Sequence, residues 1–442
     1  MRIKLKRFWR WLKGRLWVRP AIYCILAVAT VFVATTTDVF FPEIAFLDVS
    51  VETIENLLTI IASSMLAVAT FAVSVMVSTY NAALNNTTPR AFDIVVSDTS
   101  TRQAISSFIG AFIFAMIGLM GVNFSYFGSP GRVVLFLMTL AVFLWVVGTF
   151  VYWIDHVTRM GQLRHTIERV AGRVTTLLAE YFANPGRGGV VADVGEEPPR
   201  DAIPVYPKQS GIVVTFSCAD IKAVMPEGSW QAFIAARPGY RVSPSVALIW
   251  IRGIDVDEEM ASSLRSCFDV SRVRTLEEDP EMGLRILAEI ADRALSPGVN
   301  DPGTAMDIVN TSVSVFNDAR IRAEEIDEWP SDERIRVVPI EPDRLFGTLF
   351  EPIARDGAHV VEVAETLQRS LVALYVILPA AYGETLRTQA WRAFRYASDK
   401  LAYQWEVDRV KAAGRYLLEG DESDQKFIAA KNLERAVPID ET

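Results

Sequence analysis

Histidine and cysteine are scarce in this chain of 442 residues, with three of each. Cys24, Cys218 and Cys267 form no disulfide framework and suit a reducing compartment. His156, His165 and His359 show no metal-ligand spacing. No Walker loop, dinucleotide fingerprint or Gly-x-Ser-x-Gly elbow occurs. There is no internal repeat and no low-complexity tract. The acidic clusters at residues 255–259 and 277–279 lack the spacing of a calcium loop and read as solvated loop or helix-start charge. A lipoyl or biotinyl carrier needs a Lys on an exposed turn, and Lys222 sits in a helical setting instead. These absences leave no expected catalytic residue, cofactor or metal.

Charge is unevenly placed. The first 20 residues carry eight basic and no acidic side chains, so the net charge of −9 leaves the remainder near −17. Such an acidic remainder argues against nucleic acid as a partner. The basic residues of the first 20 are interleaved with Phe8, Trp9, Trp11 and Trp17. That segment reads either as an interfacial helix on an anionic inner leaflet or as a positive flank with aromatic anchors.

Apolar residues make up 51% of the chain and concentrate in four runs, residues 21–41, 57–80, 104–127 and 133–154. A hydrocarbon core about 30 Å thick needs about 20 apolar residues in a helix, so four membrane spans are expected. The first run is broken late by Asp38 and has no cleavage pattern after it, which makes it a span and not a signal peptide. Between runs one and two lie Glu43, Asp48 and Glu52 without a Lys or Arg, whereas Arg90 and Arg102 follow run two and Arg159, Arg164, Arg169 and Arg173 follow run four. The positive-inside rule then places both termini, the second loop and everything after residue 155 in the cytoplasm of a bacterial inner (plasma) membrane, with residues 128–132 as a tight external turn.

The second run carries its polar residues on one face. Asn56, Thr59, Ser63, Ala67, Thr70, Ser74, Ser78 and Asn81 fall within a sector about 100° wide at 100° per residue. The stripe is about 37 Å long, enough to cross the bilayer. Hydroxyls in hydrocarbon want partners, so this face is expected either in a helix–helix seam or along a water-lined path. Glu52 and Glu55 sit at its outer end, and Arg90 and Asp93 beyond its inner end, as candidate mouths. The third run has a small-residue face, Ser107, Ala111, Ala115, Gly118 and Gly121, suited to packing against another helix. The fourth ends in Tyr152 and Trp153, read as belt aromatics, and in Asp155 and His156 at the boundary.

After the spans, residues 156–210 read as an amphipathic exit helix and a Pro/Gly-rich linker, which is the expected domain boundary. Strands are expected at 211–217, 231–236 and 246–251, a helix at 257–268, and an extended stretch at 272–276, which together form a small α+β region over 211–276. Helices are expected at 281–295, 302–316, 343–356, 359–378 and through most of 384–418, giving a helical domain over 277–442. The overall class is a four-helix membrane domain over 21–155 followed by a mainly helical α+β cytoplasmic domain. In the block Ser296, Pro297, Gly298, Val299, Asn300, Asp301, Pro302, one helix ends, Pro297 and Gly298 turn the chain, and Asp301 N-caps the next helix with Pro302 in its first turn.

The stretch from Ala294 to Ala305, reading ALSPGVNDPGTA, resembles the signature of the bacterial membrane proteins called "domain of unknown function 2254". Three other segments agree: Thr88-Pro89-Arg90, residues 152–156, and Arg237-Pro238-Gly239. The resemblance implies four transmembrane helices and a cytoplasmic domain, and it brings no established activity. The chain departs from the usual pattern around residues 210–220 and 240–245.

Two readings of function follow. One is a homo-oligomeric, channel-like conduit for an ion or small solute, with the stripe lining the path and the cytoplasmic domain assembling or gating it. The other is a membrane-anchored ligand-sensing or scaffold protein in which the stripe is only a seam.

Overall fold

The computed structural model describes residues 49–86, 99–124, 129–160, 163–327 and 329–419, Arg90, and isolated helical positions between 21 and 33. Residues 1–20, most of the first apolar run, the Thr88-Pro89 pair and Asp93 lie outside the described residues. The chain divides into two compact units, residues 1–166 and 167–442.

In the first unit, α1 (Val51–Asn86), α2 (Thr99–Asn123) and α3 (Ser129–Met160) pack together. The Ser50 hydroxyl starts α1 by accepting the Thr53 N–H at 3.2 Å, and Glu52 adds negative charge to the first turn. Three stretches are long and apolar enough to span a membrane: Val51–Ala82, Ser100–Asn123 and Pro130–Val157. Of the four expected spans, these are the three that fall on described helices. Most of α2 is buried, whereas α1 and α3 are largely exposed. The small-residue face of α2 is wholly buried. A Cβ on Gly118 would stand 3.1 and 3.2 Å from the two δ carbons of Leu58, so the missing side chain sets how closely α2 approaches α1.

Trp153 departs from its expected place in an interfacial belt. It is buried in the bundle, edge-on to Phe71 and Phe108 at 6.4 and 6.2 Å. Its neighbour Tyr152 is exposed and stacks on His156. Adjacent helical residues point about 100° apart, and here Tyr152 faces outward while Trp153 turns into the bundle.

The second unit holds most of α4 (Leu163–Ala183), which buries Val170, Val174, Leu177 and Leu178 at helical spacing. Then follow β1 (Gly189–Val191), β2 (Ile203–Val205), β3 (Gly211–Phe216), α5 (Cys218–Val224), β4 (Gln231–Ile234), β5 (Arg241–Val242), β6 (Ile249–Arg252), α6 (Glu258–Ser266) and β7 (Phe268–Ser271). Next come α7 (Pro280–Leu295), α8 (Pro302–Ala323), β8 (Asp332–Val337), α9 (Pro342–Asp356), α10 (Val361–Ile377), α11 (Gly383–Lys400), α12 (Gln404–Ala413) and α13 (Arg415–Glu419). One sheet has the order β1-β8-β4-β6-β2, with β8 parallel to both its neighbours. A second, antiparallel sheet has the order β5-β3-β7.

Four features differ from the sequence reading. The expected linker carries β1 and β2, which pair at the two edges of the larger sheet. Three-residue strands beside Pro and Gly have no periodic signal; their neighbours define them. The strand β8 lies inside the region expected to be helical; its Ile335 and Val337 point inward while Glu333, Arg334 and Arg336 mask the alternation. The extended stretch expected at 272–276 is instead strand at Phe268–Ser271, paired to β3. The long final helix breaks into three. At Gly414, where α12 ends, the backbone passes close to Gln368; a Cβ there would fall 2.2 Å from its side-chain oxygen.

Candidate functional site

Each residue of the α1 stripe, from Asn56 to Asn81, is exposed in its unit. The buried residues of the helix are Ile54, Leu58, Ile61, Ala62, Ala69 and Ala72. At 100° per residue the centres of the two faces lie about 160° apart. The polar face therefore points away from α2 and α3, and neither of those helices covers it. The hydroxyls bond their own helix: Ser63 donates to Thr59 O at 2.8 Å, Thr70 to Leu66 O at 2.9 Å and Ser74 to Thr70 O at 3.1 Å. Each proton is thus satisfied inside the helix, while oxygen lone pairs stay available to a partner. Glu52 is exposed and continues the stripe by one turn; Glu55 is half-buried on the flank; Arg90 is exposed.

The Ser296–Pro302 block makes a helix corner. Asp301 caps α8, its carboxylate accepting the Thr304 N–H at 3.1 Å and the Thr304 hydroxyl at 2.6 Å. These bonds hold its carboxyl below the usual carboxylate range. Asn300 takes a left-handed φ of 50°, and the Asp301 N–H reaches back to Ala294 O at 2.8 Å. Ser296 caps the end of α7. The residues expected to turn the chain and cap a helix do so, and the Asp301 oxygens are occupied in that work.

A second constellation escaped the sequence reading. Near a cleft of about 70 Å³ lined by Leu177, Tyr181, Arg187, Arg237, Glu278 and Trp329, charged side chains pair in or close to the interior. Arg237 is 7% exposed and Glu281 3%. Arg237 Nη2 donates to Glu281 Oε2 at 3.2 Å and Nη1 donates to Pro339 O at 3.0 Å. Arg344 Nε lies 2.5 Å from Glu281 Oε1, an ionic contact outside hydrogen-bond angles. Arg274 forks onto Asp279 at 2.5 and 3.0 Å, and Arg187 pairs with Glu278. The Tyr181 hydroxyl accepts the Ile340 N–H, and burial pushes its pKa up to about 12.

Asp279 corrects an expectation. It is helix-start charge, capping α7 through the Met282 N–H at 3.0 Å, but it is buried, not solvated, and burial raises its carboxyl despite Arg274. Gly239 (φ 83°) lets the backbone pass this pair; a Cβ there would be 2.2 Å from Asp279 Oδ2. The Arg237-Pro238-Gly239 match to the family was the one available signal. In the other acidic cluster, Asp257 caps α6 and Glu258 pairs with Arg265.

None of this assembles a reactive centre. The Cys218 and Cys267 thiols are buried and pushed up to about 11 and 12 by desolvation, which makes them poor nucleophiles. No group of three or more His, Cys, Asp or Glu side chains able to hold a metal occurs among the described residues.

Three membrane-length apolar helices joined to an α+β unit define a helical membrane protein with an appended domain. The chain belongs to the family described as "Predicted membrane protein (DUF2254)", which it matches over residues 13–373. It is 26% identical over 177 residues to uncharacterized proteins of Mycobacterium bovis and Mycobacterium tuberculosis (strain H37Rv). Those matches cover 39% of this chain and 34% of each relative, so they span about a third of the relatives' length. No solved structure matches.

Proposed function

We propose that this protein is a homo-oligomeric, channel-like conduit of the bacterial inner membrane. The α1 face from Asn56 to Asn81 lines the path, with the second unit in the cytoplasm as an assembly or gating domain. The observation that carries this is the outward exposure of a membrane-length polar face set opposite the packed face of its helix. Glu52 lies on that face and Glu55 beside it, and α1 has no Lys or Arg, so the path prefers cations modestly to anions. The amino-terminal basic segment rests on the anionic leaflet.

Purified protein in planar bilayers conducts, and Thr70→Leu or Ser74→Leu reduces the conductance. Absence of conductance across voltages and ionic conditions overturns the proposal. The second reading is a membrane-anchored sensing or scaffold protein with no transport activity. It is supported by the bonding of the stripe hydroxyls to their own helix, which suits a dry seam between copies as well as a wet path.

A further inference from the structure

We propose that the cleft where α4, α8 and α10 end binds a small organic ammonium cation. The cleft encloses about 410 Å³, within the usual size range of small-molecule sites. It lies wholly within the second unit, between Phe182 and Ala183 at the end of α4, Ala323 and Glu324 at the end of α8, and Leu378, Pro379 and Tyr382 after α10.

The electrostatics select a cation. A helix C-terminus carries roughly −0.5 charge from unpaired carbonyls, usually offset by a basic residue in the last turn. Neither α4 nor α10 has one. The end of α8 is offset by its own Arg320 and Arg322. Arg320 is in turn paired with Glu324 at 2.8 Å, which leaves Arg322 to offset the end of α8. The ends of α4 and α10 together then contribute about −1, which repels anions.

The walls select an organic cation over a metal ion. The rings of Phe182 and Tyr382 stand 6.1 Å apart, inclined at 45°. Phe346 meets Tyr382 edge-on at 5.5 Å and fixes its ring. Both rings line the cleft beside Leu378 and Pro379 and offer aromatic and apolar contact to an alkylated ammonium. Magnesium and calcium need several oxygen ligands, and the side chains here supply one carboxylate, already paired.

The test uses the full chain in detergent and calorimetric titration with choline chloride and with its neutral isostere, 3,3-dimethylbutan-1-ol. Choline is expected to bind in the millimolar range and the alcohol at least about tenfold more weakly. Tyr382→Leu keeps apolar volume and removes the ring face; it should weaken choline about tenfold and leave the alcohol unchanged. Glu324→Gln, at an exposed position, leaves Arg320 unbalanced and should weaken choline severalfold while the fold stays intact, which secures the test if Tyr382→Leu proves unstable. Equal binding of choline and the alcohol overturns the proposal. So does silence of both up to about 50 mM, or choline binding that neither variant alters.

Discussion

Replacing Arg237 tests whether the interior charge network holds the second unit together. In Arg237→Ala, Glu281 loses one of two cations and Pro339 O loses its donor, both in the interior. Breaking a buried pair from one side costs about 3–5 kcal/mol. Arg344 still reaches Glu281 from a 43% exposed position, so the lower end applies, about 3 kcal/mol. For a unit of this size each kcal/mol moves Tm by about 2–4 °C, which gives a fall of about 6–12 °C. The assay is tryptophan-fluorescence thermal unfolding of the detergent-solubilised chain. Arg237→Met with Glu281→Leu removes both charges and should recover more than half of the loss, because no lone charge is left buried. An Arg237→Ala protein that melts with the wild type refutes the reasoning. So does a double variant less stable than either single one.

Gly118→Leu drives a side chain into Leu58 and should cost about 1–3 kcal/mol by overpacking, seen as a lower melting temperature of the first unit, whereas Gly148→Leu, with nothing within 4 Å, should leave it unchanged. Asp292 is pushed up to about 6, first by burial and then by Asp356. A carboxyl raised in the folded state stabilises fully below its unfolded pKa, and that contribution is lost as pH rises through the folded value. Asp292→Asn should therefore be stabilising by about 1 kcal/mol at pH 8, after allowance for solvent screening, and neutral near pH 4, as read by denaturant unfolding at both pH values. Cys218 and Cys267 should resist a maleimide at pH 7.5 in the folded protein and react on unfolding; rapid labelling of the native chain contradicts their burial.

Local signals in the chain were strong wherever one segment determines its own conformation. Asp301 before Pro302 is a cap in any context, and the small-residue face of the third run can pack only as a face. Apolar spacing placed α7, α9 and α10 within a few residues of their observed ends. Partners distant in sequence left no such mark. Arg237 and Glu281 are 44 residues apart and each reads as a surface charge. The strand β8 is specified by β1 and β4 on either side of it, and its own charged residues hide the alternation. Trp153 has the composition of an anchor and the rotation of a core residue, and rotation depends on which face of α3 the bundle covers.

For the stripe, exposure moves the question from within one chain to what lies around it. The helix from Val51 to Ala82 has 32 residues and is about 48 Å long, more than the hydrocarbon thickness of about 30 Å. Asn56, Ser78 and Asn81 therefore fall near the interfaces, and Thr59, Ser63, Thr70 and Ser74 form the section that must be explained in hydrocarbon. Three of those four hydroxyls already bond their own helix, which lowers the cost of a dry environment without providing a reason for the alignment. A cysteine scan of α1 separates the outcomes by period. Along a water-lined path, positions 59, 63, 70 and 74 react with a membrane-impermeant thiol reagent, while 57, 68 and 75, more than 100° round the helix from the centre of the stripe, stay silent. In a dry seam between copies, the same four positions form intermolecular disulfides under oxidant and take no reagent. A scan in which the silent positions label and the stripe does not would place the polar face against protein within one chain, and the conduit would fall.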